Sequence, residues 1–375
     1  MPPQGIRPGA NARTVARSAA RRATCGGDKI GAFFDRRIIA LDRLQRLTNW
    51  TQQVLREVLH AELGRLEPAS ADASFRRYFR VFTDHGSHIV MDAPPTHEDC
   101  RPWLHVARLF RAAGANTPEI LAENLEEGFL LISDLGSTTY LSALDEGSAD
   151  QLYRDANTAL VNIQLASRDG ELPPYDQALL RRELDLFPDW YLTKHLGVEL
   201  DADQRQVMED AFQRILANNL AQPRVYVHRD WHSRNLMLTE LGNPGVIDFQ
   251  DAVYGPITYD LASIYKDAYI RWDEERVLDW TVRYWEAARK AGLPVHADFG
   301  DFYRDFEWMG VQRHIKVLGI FARLCHRDGK DGYLKDMPLV MDYLRRACQR
   351  YNGLGDFLRL LDQIEGKAAA VGYTF

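Results

Sequence analysis

The sequence predicts an α+β chain of two lobes, in which a small lobe with an antiparallel sheet precedes a larger helical lobe. Its 375 residues suffice for two domains, or for one bilobal unit, at roughly 100–200 residues per domain. Short strands separated by turns predominate over 66–135, whereas apolar residues recur at helical spacing from 137 onward. A composition with 46% hydrophobic and 26% charged residues permits a sizeable packed core.

The predicted small lobe spans 41–135. In chain order its elements are a helix over 41–59, strands over 75–82 and 88–91, a helix over 97–113, and strands over 118–121 and 128–132. The first two strands flank an Asp-His-Gly-Ser turn, and consecutive prolines follow the second one. Each helix carries apolar side chains at intervals of three and four residues.

The predicted larger lobe spans 136–375 and is mostly helical. Long segments with helical periodicity cover 148–166, 202–220, 274–292, 299–326 and 336–350. The exception is 224–250, where short apolar strands alternate with polar residues. A chain with this plan leaves a cleft between its lobes, and clefts are where ligands tend to bind.

Charge is distributed unevenly along the chain. The formal net charge is -7, but residues 1–47 hold ten Lys or Arg against three Asp or Glu, whereas 48–375 hold 36 against 50. This acidic body argues against a protein that binds nucleic acid. The basic arm over 1–40, rich in Arg, Ala, Gly and Pro, is interpreted as a disordered tail or translated upstream sequence, with an organellar transit peptide as the alternative.

Cysteine usage and hydropathy predict a cytoplasmic protein. The four cysteines lie far apart and form no CxxC or Cys/His cluster: Cys25, Cys100, Cys325 and Cys348. This spacing fits a reducing compartment and argues against a disulfide framework or a zinc site. No apolar run approaches the roughly 18 residues of a membrane span, so no membrane partner is expected.

The polar segment at 224–250 holds the strongest chemical signal. His228, Asp230 and Asn235 follow a short apolar strand in the order H-R-D-x-x-x-x-N, and Asp248 follows two β-branched residues thirteen positions later. This spacing fits the catalytic loop and the metal-binding aspartate of kinase-like phosphotransferases. Asp and Asn also cap turns and end strands, which is the alternative interpretation.

These residue types suit phosphoryl transfer, which requires an acceptor hydroxyl in line and cations that neutralise phosphate oxygens. We expect Asp230 to orient and deprotonate the hydroxyl. We expect Asn235 to supply an amide oxygen, and Asp248 a carboxylate, to Mg²⁺, which retains waters and substrate oxygens and so needs few protein ligands. Mg²⁺ is therefore a predicted cofactor.

Three further polar residues are expected to support this loop. His228 is interpreted as a buried side chain that braces the loop. Asp260, in a Tyr-Asp-Leu-Ala segment, is interpreted as a carboxylate that holds the loop backbone from the start of a helix. His232 either braces the loop or contacts the substrate.

Over about residues 45–365, the sequence resembles the aminoglycoside phosphotransferase/choline kinase family of small-molecule kinases. The catalytic-loop motif, its spacing to Asp248 and the Leu-Leu-Ile-Ser-Asp-Leu-Gly stretch at 130–136 carry the resemblance. It implies a bilobal protein-kinase-like fold. It also implies that backbone groups of a hinge hold the adenine of ATP, at Ile132, Ser133, Asp134 and Leu135.

Less widely shared stretches are similar to one bacterial branch of that family, whose members phosphorylate N-acetylmuramate and N-acetylglucosamine at the anomeric hydroxyl. These stretches cover 70–80, 90–95, 187–191 and 312–324. The resemblance implies transfer of the ATP γ-phosphate to an amino sugar, which gives a sugar 1-phosphate in cell-wall sugar recycling. The expected partner is thus a small-molecule sugar, and the oligomeric state stays open.

The chain departs from many kinases at the third strand, where a lysine holds the α- and β-phosphates. The segment 88–92 reads His-Ile-Val-Met-Asp and contains no lysine. Arg76, Arg77 or Arg80 can replace that charge, because a guanidinium clamps phosphate oxygens in bidentate fashion. Ser74 and the backbone of its turn can also cradle a phosphate. The alternative is that these arginines are solvated strand residues.

The chain beyond the hinge supplies candidate sugar contacts. Arg313 and Lys316, three positions apart on a predicted helix, share one face and can pair with the lactyl carboxylate of N-acetylmuramate. Glu183 and Asp185 can bond sugar hydroxyls, and Trp190 can stack on a sugar ring. The alternatives are a solvated basic face, surface carboxylates and a core tryptophan.

Two other functions stay open. The same fold can act on another acceptor, such as an aminoglycoside or an amino alcohol. The absent strand lysine also suggests a nucleotide-binding pseudokinase that acts as a partner module, although the presence of Asp230, Asn235 and Asp248 argues against it.

Overall fold

The computed structural model describes residues 42–70 and 75–366. The predicted basic arm over 1–40 and the turn that contains Ser74 lie outside the described residues. Within them, the chain forms two compact units. One runs up to Glu98 and takes in Leu121–Ile132, and the other comprises Asp99–Ile120 and the chain from Ser133. The division of the chain at 135 and 136 stays a prediction.

The first unit is a five-stranded sheet with one helical segment. The strands are β1 Arg65–Ser70, β2 Arg77–Thr83, β3 Gly86–Asp92, β4 Ile120–Asn124 and β5 Phe129–Ser133. Their order in the sheet is β1-β2-β3-β5-β4. The helix α1, over 42–54, continues into a π-helical turn at Leu55–Leu59.

Apolar side chains of this helical segment and of the sheet form the core of the first unit. Leu47 and Leu55 pack with Val81, Val90 and Leu131, all of them fully buried. In the middle of β2 the buried side chains alternate with half-buried ones, as the two-residue period of a strand requires. The helix therefore covers one face of the sheet.

The second unit is mainly helical. Its α-helices are α2 Cys100–Ala112, α3 Tyr140–Ala143, α4 Ala149–Leu165, α5 Gln177–Leu184, α6 Ala202–Leu220, α7 Tyr259–Tyr265, α8 Glu274–Ala291, α9 Phe299–Asp328, α10 Met337–Arg350 and α11 Gly355–Ile364. A π-helix lies at Phe187–Leu196, and 3₁₀-turns lie at Asp331–Asp336 and Asn352–Leu354. Two small antiparallel sheets pair β6 Arg224–Val227 with β9 Val253–Pro256, and β7 Leu236–Met237 with β8 Gly245–Val246.

The 30-residue helix α9 is the centre of the second unit. It is buried on most sides, as expected for a helix that packs against several neighbours, here α6, α7, α10 and the π-helix. Gly319 allows the backbone of Leu186 to approach closely, since a Cβ at position 319 would lie 2.5 Å from the Leu186 carbonyl carbon. The contact between α9 and the π-helix thus requires a glycine at position 319.

The long periodic helices agree with their predicted ranges to within a few residues, whereas the short elements differ more. The strand predicted over 118–121 lies at Ile120–Asn124, and the one predicted over 236–238 covers Leu236–Met237 alone. No pattern predicts β1, because Pro68 and charged residues interrupt its apolar alternation. No described helix has the length and apolarity that crossing a bilayer requires.

We expect Gly319→Ala to destabilise the protein by roughly 1–3 kcal/mol, because the added methyl group overlaps the Leu186 backbone. Equilibrium denaturation followed by circular dichroism measures this change. Gly310→Ala in the same helix is the control, since its Cβ meets Lys266 at an ordinary 3.5 Å and alanine favours a helix by up to about 1 kcal/mol. Equal stability of the two variants would contradict the close packing at position 319.

Candidate active site

The loop 228–235 joins β6 to β7 and carries four of the predicted site residues. β6 is held against β9, where Val227 faces Val253, and β7 is held against β8, where Leu236 faces Val246. The strand ends next to the loop are buried. The loop is therefore anchored at both of its ends.

Asp260, at the start of α7, holds the beginning of this loop. Its fully buried carboxylate accepts hydrogen bonds from the His228 N–H at 2.7 Å and from the Arg229 N–H at 3.1 Å. Burial raises the pKa of Asp260 to about 7, and the two N–H groups oppose that rise. Arg229 adopts a left-handed backbone conformation with φ 75°, so the chain turns sharply immediately before Asp230.

His228 ties the loop to the segment that precedes Asp248. The ring is fully buried, and its Nε2 lies 3.0 Å from the Ile247 carbonyl oxygen. Its Nδ1 accepts a hydrogen bond from the Asp230 N–H at 3.2 Å. Burial lowers the pKa of His228 to about 4. The ring is therefore neutral at pH 7, with Nε2 as its donor and Nδ1 as its acceptor.

Asn235 and Asp248 meet next to the loop. The Asn235 side-chain nitrogen donates to the Asp230 carbonyl oxygen at 3.0 Å and to Asp248 Oδ2 at 3.2 Å. Gln250 donates to Asp248 Oδ1 at 2.9 Å. Asp248 adopts φ 63°. Because non-glycine residues rarely adopt this conformation, the surrounding contacts must hold the carboxylate in place.

Asp230 lies among positive charges. Arg313 Nη1 lies 3.9 Å from Asp230 Oδ1 and donates to the Arg229 carbonyl oxygen at 3.0 Å. Burial alone would raise the pKa of Asp230, but the charges of Lys316 and Arg313 lower it to about 2. The Asp230 side chain is 38% exposed. Asp230 is therefore an ionised carboxylate that can contact a ligand and accept a hydrogen bond from it.

A buried polar cluster, which we name the Glu183 cluster, lies against the loop and consists of Tyr175, Glu183, Arg229, Tyr259 and Lys316. The Glu183 carboxylate pairs with Arg229 at 2.6 Å and with Lys316 at 2.9 Å, and it accepts a hydrogen bond from Tyr175. Lys316 also donates to the Tyr259 hydroxyl at 2.8 Å. Burial would raise the pKa of Glu183, but the charges of Lys316 and Arg229 lower it. One carboxylate therefore balances two cations in the interior.

The predicted substrate residues do not all meet at the loop. Glu183, Lys316 and Arg313 do, but the Glu183 and Lys316 side chains are each 6% exposed and bond to one another. The carboxylate partner of Lys316 is thus Glu183 of the same chain, in contrast to the predicted substrate carboxylate. Asp185 instead pairs with Arg181 at 2.7 Å, where both side chains are partly exposed.

No sequence pattern singled out Asp267, which also holds the loop. Its buried carboxylate accepts hydrogen bonds from the Ser233 N–H at 2.9 Å and from the Ser233 hydroxyl at 2.5 Å. The sequence offers only a weak signal, because Asp267 follows Asp260 by seven residues but lies beyond Tyr265, where α7 ends.

Asp248 offers a carboxylate, and the neighbouring Asn235, whose side-chain nitrogen donates to Asp248, carries an amide oxygen on the same group. Mg²⁺ prefers hard oxygen donors, and it commonly takes only one or two protein ligands beside waters and phosphate oxygens. The chemistry of this donor pair therefore fits Mg²⁺.

In the first unit, β3 ends on a buried acid where a lysine is common in kinases. Asp92 is fully buried and accepts hydrogen bonds from Arg43 Nε at 2.8 Å and from Arg77 Nε at 2.9 Å. Arg77 keeps 39% of its side chain exposed, and the half-buried Arg76 directly precedes β2. Contact of these arginines with phosphate stays a prediction.

The predicted hinge residues lie at the end of β5. Ile132 is buried, and the Ser133 N–H donates to the Glu119 carbonyl oxygen at 2.9 Å. The Glu119 N–H in turn donates to Ser133 Oγ at 2.8 Å. Asp134 accepts a hydrogen bond from the Gly136 N–H at 2.9 Å, which closes a turn. Contact of this segment with adenine stays a prediction.

Comparison with known proteins identifies the family of this chain. Residues 65–299, which include Asp230 and Asp248, match the model of the phosphotransferase enzyme family. The chain belongs to this phosphotransferase family. The family resemblance predicted from the sequence is therefore confirmed, and the protein is a phosphotransferase.

Two curated relatives resemble this phosphotransferase over nearly their whole length. A Pseudomonas aeruginosa protein named N-acetylmuramate/N-acetylglucosamine kinase is 50% identical over 334 residues, which cover 88% of this chain and 98% of the relative. A protein of the same name from Neisseria meningitidis serogroup B is 48% identical over 341 residues, which cover 89% of this chain and 100% of the relative.

Among solved structures, spectinomycin phosphotransferase APH(9)-Ia in complex with ADP and spectinomycin matches this phosphotransferase with a TM-score of 0.55. The match has 11% sequence identity and covers 78% of this chain and 93% of the other. Such low identity shows the fold alone. The predicted α+β, protein-kinase-like fold, with its antiparallel sheet and its helical part, is confirmed.

We expect Glu183→Gln to destabilise the protein by roughly 3–5 kcal/mol, because Arg229 and Lys316 lose the buried carboxylate that pairs with both of them. Chemical denaturation measures the loss. Glu209→Gln is the matched control, since that carboxylate pairs with Arg181 where both are partly exposed and such a pair contributes only about 0–1 kcal/mol. A similar loss in both variants would count against the Glu183 cluster as a stabilising unit.

Proposed function

We propose that this phosphotransferase moves the γ-phosphate of ATP to the anomeric hydroxyl of an amino sugar, N-acetylmuramate or N-acetylglucosamine, and releases the sugar 1-phosphate. The observation that carries the proposal is the partly exposed, ionised Asp230 in the loop whose last residue, Asn235, contacts Asp248. The names of the two relatives, at 50% and 48% identity, support an amino sugar as the acceptor. The product would enter the recycling of cell-wall sugars.

In this proposal Asp230 orients the attacking hydroxyl and takes its proton. A pKa of about 2 makes the carboxylate a weak base, so its main contribution is to hold the oxygen in line with the phosphate. An anomeric hydroxyl is more acidic than an alkanol and needs less basicity. Its oxygen forms a bond to the γ-phosphorus as the bond from that phosphorus to the β–γ bridging oxygen breaks.

Asn235 and Asp248 would hold Mg²⁺, which neutralises charge on the phosphate oxygens when it is bound. The hydrogen bonds that Asp260 and Asp267 accept from backbone N–H groups of the loop keep the surrounding groups in place. Arg313, 3.9 Å from Asp230, helps keep that carboxylate ionised. The chain thus contributes position and charge rather than a covalent step.

ATP is the proposed phosphate donor. Membership of the phosphotransferase family supports it, as does the ADP in the spectinomycin phosphotransferase complex. Backbone groups at 132–135 would take the adenine. Arg76 or Arg77, together with Ser74, would contact phosphate oxygens in place of the strand lysine.

A panel of acceptors tests the proposed reaction. The protein is offered N-acetylmuramate, N-acetylglucosamine, choline and an aminoglycoside with ATP and Mg²⁺ in a coupled ADP assay, and phosphorus NMR identifies each product. We expect turnover with the amino sugars and a phosphate coupled to the anomeric proton. Turnover with choline or the aminoglycoside alone would overturn the sugar assignment, and a product that keeps its reducing end would overturn the anomeric position.

We expect Asp230→Asn to lower kcat by about 10²–10⁴-fold without changing the Kd for ATP, because the amide cannot accept the proton but leaves the charge on nucleotide contacts unaltered. Steady-state kinetics and calorimetric titration with nucleotide measure the two quantities. Asp279→Asn, at a partly exposed pair with Arg283, is the control. Undiminished turnover by Asp230→Asn would refute its role, and an unmutated protein that turns over no acceptor would favour a pseudokinase.

A further inference from the structure

We infer that Arg234 binds the carboxylate of an acidic sugar acceptor and so determines how well this enzyme uses N-acetylmuramate. The inference rests on the proposed function, because it assigns a substrate contact at the same site. N-acetylmuramate carries a lactyl ether with a carboxylate that N-acetylglucosamine lacks. An enzyme that uses the acid well needs a cation that pairs with this group and that the neutral sugar does not require.

The two cations that the sequence predicts to pair with the lactyl carboxylate already have partners inside the protein. Lys316 pairs with Glu183 at 2.9 Å and donates to the Tyr259 hydroxyl at 2.8 Å. Arg313 donates to the Arg229 carbonyl oxygen at 3.0 Å. The side chains of Lys316 and Arg313 are each 6% exposed. Neither can turn toward a ligand without breaking contacts that support the catalytic loop.

Arg234 differs from both. It lies in the same loop, four residues after Asp230 and one before Asn235, and is half-buried. Among residues 42–70 and 75–366, its guanidinium has no hydrogen-bond or ion-pair partner. Its interaction with the Asp336 carboxylate is a longer-range electrostatic attraction. Its N–H donors are therefore open to a ligand. A guanidinium matches a carboxylate in bidentate geometry, which suits it to this acceptor.

Two aromatic rings hold Arg234 in a fixed orientation. Its guanidinium carbon lies 3.6 Å from the centroid of the Tyr269 ring and 5.6 Å from that of the Tyr333 ring. Stacking on a ring face leaves the N–H donors at the edge of the guanidinium open to a partner in its own plane. The backbone N–H of Tyr269 donates to Asp267 Oδ1 at 3.1 Å, so the backbone that carries the stacking ring is tied to the acid that holds the loop. Little ordering of Arg234 is then needed on binding.

The Tyr269 ring also connects Arg234 with His232. The two rings meet edge to face, with centroids 5.5 Å apart. The His232 N–H donates to the Asp230 carbonyl oxygen at 3.0 Å, and its Nδ1 is buried without a hydrogen-bond partner in the described part of the chain. His232 and Arg234 thus share one side of the loop. A sugar with its anomeric hydroxyl at Asp230 extends into this neighbourhood, where its lactyl carboxylate pairs with Arg234.

Arg234→Gln, assayed with N-acetylmuramate and N-acetylglucosamine as paired acceptors, tests the inference. We expect kcat/KM for N-acetylmuramate to fall about 10- to 100-fold, the effect of losing a charge-assisted hydrogen bond, and kcat/KM for N-acetylglucosamine to change less than about threefold. N-acetylmuramate methyl ester, which is neutral, should be used equally well by the variant and the unmutated protein. Arg234→Lys should retain part of the preference for the acid.

Turnover of the neutral sugar reports that the variant is folded. Arg283→Gln removes the same charge at a partly exposed pair with Asp279 and should leave both sugars unaffected. Equal losses for the two sugars in Arg234→Gln, or no loss for either, would overturn the role of Arg234 and leave the proposed function intact. An unmutated protein that phosphorylates neither sugar would overturn the proposed function and the inference together.

Discussion

The pairing of Glu183 with Arg229 and Lys316 is the interaction on which the rest of the site depends. Two cations buried side by side would repel each other, and a single carboxylate between them removes that repulsion. The charge of Lys316, together with that of Arg313, then keeps the pKa of Asp230 low. Because Arg229 belongs to the loop 228–235, the same pairing also fastens that loop to α5 and α9. The same ion pairs thus set the charge environment of Asp230 and hold the loop in position.

Backbone hydrogen bonds give the loop the rigidity that side-chain charges alone cannot. Asp260 accepts from the N–H groups at its beginning, and Asp267 accepts from the N–H and hydroxyl of Ser233 near its middle. Both acids come from α7 or directly after it, and both are buried. Hydrogen bonds to buried groups on a rigid helix position the site residues more accurately than a loop could without them.

The sequence predicts features whose cause is local and fails where the cause is distant. The periodicity of α9 and the spacing of Asp230, Asn235 and Asp248 are local patterns. The structure contains the helix, and it brings Asn235 into contact with Asp248. The sequence predicts a substrate partner for Lys316 because it does not show that the fold brings Glu183 of α5 to this lysine. The π-helix at Phe187–Leu196 carries no periodic signal of its own, since packing against α9 decides it.

The left-handed conformations of Arg229 and Asp248 carry a backbone cost that the contacts of their side chains must offset. A side chain in this conformation costs roughly 1–2 kcal/mol, which glycine avoids. Glycine at either position would relax the backbone but remove a guanidinium from the Glu183 cluster or a carboxylate from the pair with Asn235. At Arg229 this gain is opposed by the loss of a counter-charge for Glu183, and at Asp248 it is opposed by the loss of the hydrogen bonds from Asn235 and Gln250. Stabilising the enzyme by glycine substitution should therefore avoid these two positions.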